Sequence, residues 1–272
     1  MSWPSVNFIP AYDLEWTFID EAALDSGNYN TGGNVDPLLI FKNNSSRVTV
    51  SGSSYKIPLL YDGDGTVFFR VRTIQNAPDG EVIAGQWSTE SGSGGLGEYV
   101  YTGHQRNLNW QATTTYAEEG KRKSVVQYYD GSLKGRQTVT KDNTTQTTVV
   151  AETLYDKQGR PVIQVLPSPT LSKLIAYTPL FNQKGDVTPE EYDKSLYDTL
   201  ISPAEYCGTG APEMGIANGS SQYYSPSNPL LSVPQPDYHQ FVPDAVKYPF
   251  TETRYTRSEE HTSELQSQNR IS

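Results

Sequence analysis

Three histidines, one cysteine and a few paired carboxylates are the residues of this chain able to attack a substrate, move a proton or hold a metal. A hydrolytic triad requires a histidine within reach of both a nucleophile and a carboxylate. His104 follows a glycine-rich stretch, His239 sits in a proline-rich one and His261 belongs to a charged C-terminal tail. None has a neighbour at metal-ligand or triad spacing, so His104 and His239 are expected to be ordinary surface residues. Cys207 is flanked by Glu205, Tyr206, Gly208 and Thr209, with no basic group to lower its thiol pKa. As the single cysteine it also excludes an internal disulfide. Asp62-Gly63-Asp64-Gly65 begins as calcium loops begin, but the further acceptors and the distal bidentate glutamate are missing, so it reads as a hairpin turn. Glu118-Glu119 reads as a turn and Glu190-Glu191 as a helix start. The expectation is therefore a non-enzymatic chain with no catalytic residue, no cofactor and no metal ligand.

Binding chemistry is better represented. Nineteen tyrosines stand against eight phenylalanines, and tyrosine buries a ring while keeping its hydroxyl near water. Tyr223, Tyr224 and Tyr248 fall in stretches that read as loops, which makes them candidate glycan contacts, because flat rings pack on sugar faces. Against this, tyrosine is so abundant that packing accounts for most of its copies. The formal charge of −10 argues against a nucleic-acid partner, since phosphate binding needs a basic patch. No apolar run approaches a membrane-spanning length, and Met1-Ser2-Trp3-Pro4 lacks the pattern of a secretory signal.

The tail has its own explanation. Arg257-Ser258-Glu259-Glu260-His261-Thr262-Ser263-Glu264-Leu265-Gln266-Ser267 back-translates to the start of a common short-read library adapter, and index bases account for the remainder through Ser272. Residues 257–272 are thus expected to be non-native and are set aside from fold reasoning.

The elements that must position any site are strands. Tyr12 to Ile19 alternates with period two, placing Tyr12, Leu14, Trp16 and Phe18 on one face. Pro37-Leu38-Leu39-Ile40-Phe41, Ser46 to Val50, Tyr55 to Leu59, Thr66 to Arg72 and Gly85 to Ser88 complete a run of short strands separated by turn signals, a sandwich pattern. On Tyr55-Lys56-Ile57-Pro58, Phe69-Arg70-Val71-Arg72, the early Trp16 and the late Trp87-Ser88, residues 1–90 resemble a fibronectin type III domain, without a convincing first strand ahead of Tyr12. Ser91 to Glu98, rich in glycine and serine, reads as a linker.

Beyond it, Leu108–Tyr116, Lys123–Asp130, Arg136–Lys141, Thr147–Tyr155 and Arg160–Leu166 read as consecutive strands joined by short turns, a β-meander over residues 99–170. Tyr129-Asp130-Gly131-Ser132-Leu133-Lys134-Gly135-Arg136 is echoed by Tyr155-Asp156-Lys157-Gln158-Gly159-Arg160, with the aspartates 26 residues apart, a spacing found in stacked repeats. Aspartate favours turn entry, glycine supplies the positive φ, and Tyr and Arg can stack across the ladder. Residues 171–256 are less regular. Thr188-Pro189-Glu190-Glu191 is a capping box with proline at the first helical position, followed by Tyr192, Leu196 and Leu200, which predicts a short helix over 189–200 within an insertion of long loops.

With Asn109-Trp110-Gln111-Ala112-Thr113-Thr114 and the two Tyr-Asp motifs, the chain resembles the bacterial Rhs/YD-repeat family, in the RHS repeat-associated core group. The structural motif residues are Tyr129, Asp130, Gly135, Arg136, Tyr155, Asp156, Gly159 and Arg160. The resemblance implies a mostly β chain, a type III-like sandwich followed by a partial β-shell. In that family the repeats form a hollow shell enclosing a C-terminal domain, often a toxin, used at contact between bacteria. It further implies an extracellular or cell-surface location, with the rest of the shell and that C-terminal domain as partners. The alternative reading is a cell-surface carbohydrate-binding module.

Overall fold

The computed structural model describes residues 1–42, 44–57, 59–61, 63–77, 80–90, 95–117, 122–142, 145, 147–187, 190–192, 213–232, 237–255 and 265–268. Among the described residues it is a mostly β, multi-sheet fold with few short helices and no closed barrel. Two compact units divide it, Met1–Asn107 and Leu108–Ser272.

In the first unit, β1 (Ala11–Asp20) is the central strand. It pairs antiparallel with β4 (Ser46–Val50) on one side and along its whole length with β5 (Gly65–Asn76) on the other. β6 (Val82–Ala84) and β7 (Gly97–Tyr101) both pair with the far edge of β5. Between β1 and β4 lie α1 (Glu21–Asp25), the two-residue strands β2 (Asn30–Thr31) and β3 (Asn34–Val35), and α2 (Pro37–Ile40). The alternation of β1 is real: Leu14 and Trp16 form a core with Val67 and Tyr101. Each such side chain contributes about 1.5–3 kcal/mol on burial. The layer over this core comes from Met1, Trp3, Tyr55, Ile57, Leu59 and Tyr61, in stretches that form no strand beyond the Ser2–Ser54 bridge.

Four expectations change here, the first being the strand expected over Tyr55–Leu59, whose described residues form none. Pro37–Phe41 is not a strand but α2, because Asp36 caps it by accepting from the Leu38 amide and proline occupies its first turn. Gly85–Ser88 is irregular; Gly85 and Ser88 donate to Thr73 O and Val71 O of β5 without extending the ladder. Within the expected linker 91–98, residues 91–94 lie outside the described residues. Leu96 packs on the Ile19, Ile40, Phe41 and Phe68 cluster and Gly97 opens β7, so this end of the stretch is part of the fold.

In the second unit, β8 (Asn109–Tyr116), β9 (Arg122–Tyr129), β10 (Gly135–Asp142), β11 (Thr148–Tyr155), β12 (Pro161–Thr170), β13 (Phe250–Tyr255) and β14 (Leu265–Gln268) form one seven-stranded antiparallel sheet in sequence order. Val126, Val139 and Val150 line up across β9, β10 and β11 and are fully buried. Between β12 and β13, the described residues include α3 (Gly219–Tyr223) and two 3-10 turns, Pro229–Ser232 and Asp237–Phe241. Of the helix expected over 189–200, residues 189 and 193–200 lie outside the described residues. Glu191 instead makes a β-bridge with Gln183, and Glu190 O accepts from the Lys184 amide. That bonding is extended, so no helix starts at Glu190-Glu191. β14 lies within the 257–272 tail and pairs with the outer edge of β13.

Candidate functional site

The chemistry-bearing residues of the second unit converge on one face of the sheet. In β10 and β11, Gln137 and Glu152 are cross-strand partners in phase with the buried valines. Both are almost wholly excluded from solvent. Gln137 Nε2 donates to Glu152 Oε1 at 2.6 Å and to Thr178 O at 3.0 Å, while Gln137 Oε1 accepts from the Thr178 amide at 2.7 Å. One amide side chain therefore ties the sheet to the segment that covers it.

Around this pair lies a second layer. A β-bulge at Gly135/Gln137 breaks the register at Arg136, and the guanidinium donates to Tyr192 O at 2.9 Å and Glu191 Oε2 at 3.3 Å. Tyr177 Oη donates to the same Glu191 oxygen at 3.3 Å, and the Leu180 amide donates to Glu191 Oε1. Asn182 brackets Tyr192 through its amide and carbonyl, and Tyr177 packs edge-to-face on Tyr128.

Burial decides the electrostatics. It pushes the Glu152 carboxyl up to about 8; Arg136 and the Gln137 bond pull against it, and Glu191 adds to the rise. Glu152 is thus a neutral acid at pH 7. Its Oε2 and the Arg136 Nε are buried and make no hydrogen bond among the described residues. Burial also raises Tyr177 strongly, with Glu152 adding to it, and pushes Tyr128 and Tyr192 up to about 12.

The two Tyr-Asp motifs are turns of the same construction. In each, the aspartate amide donates to the carbonyl four residues on, at 2.9 Å. Its Oδ1 accepts from the amides two and four residues on, at 2.8–2.9 Å. The position three residues on takes a positive φ: Leu133 at 58° and Gly159 at 76°. This corrects the motif's register. Gly159 matches Leu133, and Arg160 matches Lys134, so Gly135 and Arg136 have no counterparts in the second motif's Gly-Arg. A Cβ at Gly135 would lie 2.8 Å from Gln127 Nε2 and would displace that side-chain tip. Arg160 pairs with its own Asp156 at 2.7 Å and stacks on Tyr255 at 4.2 Å, whereas Arg136 serves the buried cluster. Strand-end tyrosines also share a bond. Tyr155 Oη donates to Gly135 O and Tyr255 Oη to Pro161 O, each acceptor opening the neighbouring strand, while Tyr129 Oη reaches Gln111 Oε1.

The first unit holds a charged counterpart. On the β1 face opposite Leu14 and Trp16, Asp13 and Glu15 are buried directly across from Arg72 and Arg70. Asp13 Oδ2 accepts two bonds from Arg72 and its Oδ1 accepts from Thr49. Glu15 takes Arg70 at 2.7 Å, Arg47 at 3.2 Å and Ser45 at 2.7 Å. Three guanidiniums lie 4.4–5.1 Å from the Trp87 ring. Burial raises Glu15, but the Ser45 and arginine bonds outweigh it and hold the carboxyl below its usual range.

The remaining candidates scatter. His239 is buried, not on the surface: Asp237–Phe241 folds over α3, and His239 Nδ1 lies 3.1 Å from Tyr223 Oη. His104 is half-buried, and burial lowers its pKa. Tyr223 is in a helix, buried and stacked edge-to-face on Tyr224 and His239. Tyr224 is half-buried and donates to Pro167 O at 2.8 Å. The Tyr223 ring is covered, whereas Tyr224 is partly exposed and Tyr248 is exposed at 39%. Asp64 pairs with Arg106 at 2.8 Å and leads straight into β5, with no strand across the turn, while Asp62 lies outside the described residues. Cys207, Glu118, Glu119 and His261 also lie outside them. Among the described residues, no three His, Cys, Asp or Glu side chains gather in metal-binding geometry.

No family model matches the chain, and no curated protein or solved structure shows significant similarity to it.

Proposed function

We propose that this chain is a non-enzymatic segment of a larger Rhs/YD-repeat shell protein, a type III-like module followed by the opening strands of a casing around a C-terminal effector domain. The observation that carries this reading is the bond-for-bond identity of the two Tyr-Asp turns, 26 residues apart. A motif repeated in sequence alone is weak, but one that repeats the bonds of its turn acts as a structural unit. Repeats of this kind bury a continuous core only by stacking on neighbours. β13 supports the same reading, since it repeats the tyrosine bond and its outer edge carries only a strand of the adapter-like tail. In the complete protein that edge takes the next repeat strand, and the full molecule acts outside the cell or at its surface.

The test is long-read sequencing across the locus in the source DNA. A frame running past Thr256 into further Tyr-Asp turns and a distinct C-terminal domain is the expected result. A frame that stops soon after Thr256 overturns the reading, as does toxicity or hydrolysis by the 1–256 segment alone. For the carbohydrate-binding alternative, the Tyr223 ring is covered, while Tyr224 and Tyr248 keep exposed area.

A further inference from the structure

The Gln137–Glu152 pair does more than fill a core. Its cover, Tyr177–Leu180, is bonded through Gln137 and Glu191, and Tyr128 of β9 adds a bond to the Tyr177 backbone and an edge-to-face ring contact. Thr178 is bonded in both directions to Gln137, and Gln137 is in turn bonded to Glu152. Tyr177 and Leu180 are bonded to Glu191, which is paired to Arg136 on the bulge beside Gln137. Leu174 and Leu171, preceding this cover, are exposed and add little packing.

We propose that Glu152 and Gln137 form a pH-sensitive clasp, in which ionisation of Glu152 unfastens Tyr177–Leu180 from the sheet. The geometry gives the reason. A buried carboxylate needs several donors, and Glu152 has one, the Gln137 amide, which is shared with Thr178 O; its Oε2 has none. The groups facing it are Gln137 and Arg136 from β10, and Tyr177 and Glu191 from the cover. The Arg136 terminal nitrogen is already bonded to Glu191 and Tyr192 O, its Nε makes no bond to Glu152 in the closed form, and Glu191 repels a second negative charge. An ionised Glu152 gains further donors when water reaches it, and water reaches it when Thr178 lets go of Gln137.

The sign follows from linkage. In the closed form Glu152 is protonated up to about pH 8, and in the open form it returns to its ordinary value of 4.5. Between these limits the open form binds fewer protons, so opening becomes about tenfold easier per pH unit and levels off above the upper limit.

The experiment is hydrogen exchange of the Thr178 and Leu180 amides in the full chain from about pH 5 to pH 9, corrected for intrinsic exchange. The expected result is a Thr178 protection well below that of the slowest β10–β11 ladder amides. It should fall about tenfold per pH unit and then flatten, and the slope should vanish in Glu152→Gln, which keeps the neutral form. A flat wild-type profile, a slope that persists in Glu152→Gln, or Thr178 protection equal to that of the ladder overturns the clasp. If Glu152→Gln does not fold, carbon-13 titration of the wild-type Glu152 carboxyl decides. A midpoint that coincides with the flattening of exchange supports the clasp, and one near the ordinary glutamate value overturns it.

Discussion

The two units bury carboxylates by opposite means. On β1, Glu15 is surrounded by Arg47, Arg70 and Ser45, and the charge is kept because every lone pair facing inward is met. On β11, Glu152 accepts from a single amide and makes no bond to Arg136, so burial wins and the proton stays on. The lesson is that burial alone does not set the charge of a carboxyl. The number of donors within reach sets it, and register sets that number: Glu15 lies directly opposite two arginines, Glu152 opposite Gln137.

The largest effect is expected where a charge is left alone. Glu15→Ala strands Arg70, whose side chain is 10% exposed, and unties Arg47 and Ser45. Removing one partner of a buried pair costs about 3–5 kcal/mol. Denaturant unfolding of the full chain, followed by tryptophan fluorescence because Trp87 lies under the three arginines, should show a loss of this size. A loss below about 1 kcal/mol, the range of an exposed pair, would mean that the arginines are solvated.

Next comes the pH response, which has opposite signs in the two clusters. Glu15 has a folded pKa below its unfolded value, so its stabilisation is present above about 4.5 and is lost as pH falls through the acid range. Glu152 has a folded pKa above its unfolded value, so stability falls as pH rises from about 4.5 to about 8. Each tenfold change in an acidity constant between the folded and unfolded chain corresponds to about 1.4 kcal/mol. Glu152→Gln should therefore be more stable than the wild type at pH 9 by on the order of a few kcal/mol, and should close most of that gap at pH 5. Equal stability at both pH values would show that Glu152 is already ionised in the fold.

These clusters also mark how far the sequence can be read. The meander is legible because β9 and β11 alternate cleanly and the turns carry Asp, Gly and Asn. The first-unit helix is not, although Asp36-Pro37 is a capping pair, because Leu38-Leu39-Ile40 suits a strand equally well. Neither Glu15 nor Glu152 announces its burial by residue type. Phase is the available signal: Asp13, Glu15 and Thr17 are in step with Ile19, while Gln137 is in step with Val139, and Glu152 with Val150 and Leu154. Recognising a buried polar residue by phase requires knowing which face is covered. In β1 both are, and no single-strand pattern reveals that. The segment over Gln137 is illegible because its bonds come from the backbone of Thr178 and Leu180, which leave no trace in residue type.

A smaller effect separates the repeat from its surroundings. Tyr155 and Tyr255 make the same bond to the residue that opens the adjacent strand. Tyr155→Phe and Tyr255→Phe should each cost about 1 kcal/mol, the net worth of one hydrogen bond, in thermal unfolding. A neutral Tyr155→Phe would reduce the tyrosine of the motif to a packing residue.

The smallest prediction tests the corrected register of the motif. The two turns place Leu133 and Gly159 at the same position with positive φ, which disfavours a side chain with a Cβ by about 1–2 kcal/mol. Leu133 is 72% exposed, so replacing it removes little packing. Leu133→Gly relieves the strain but gives the unfolded chain more freedom, worth about 0.4–1 kcal/mol in the other direction. The net expectation is a gain of about 0.5–1 kcal/mol, against a loss for Gly159→Ala, whose added Cβ also lies 3.2 Å from Lys134 Cε. If Gly135 were instead the true counterpart of Gly159, Leu133→Gly would only loosen the turn and lower stability. The sign of this one substitution therefore decides which residues of the two motifs correspond.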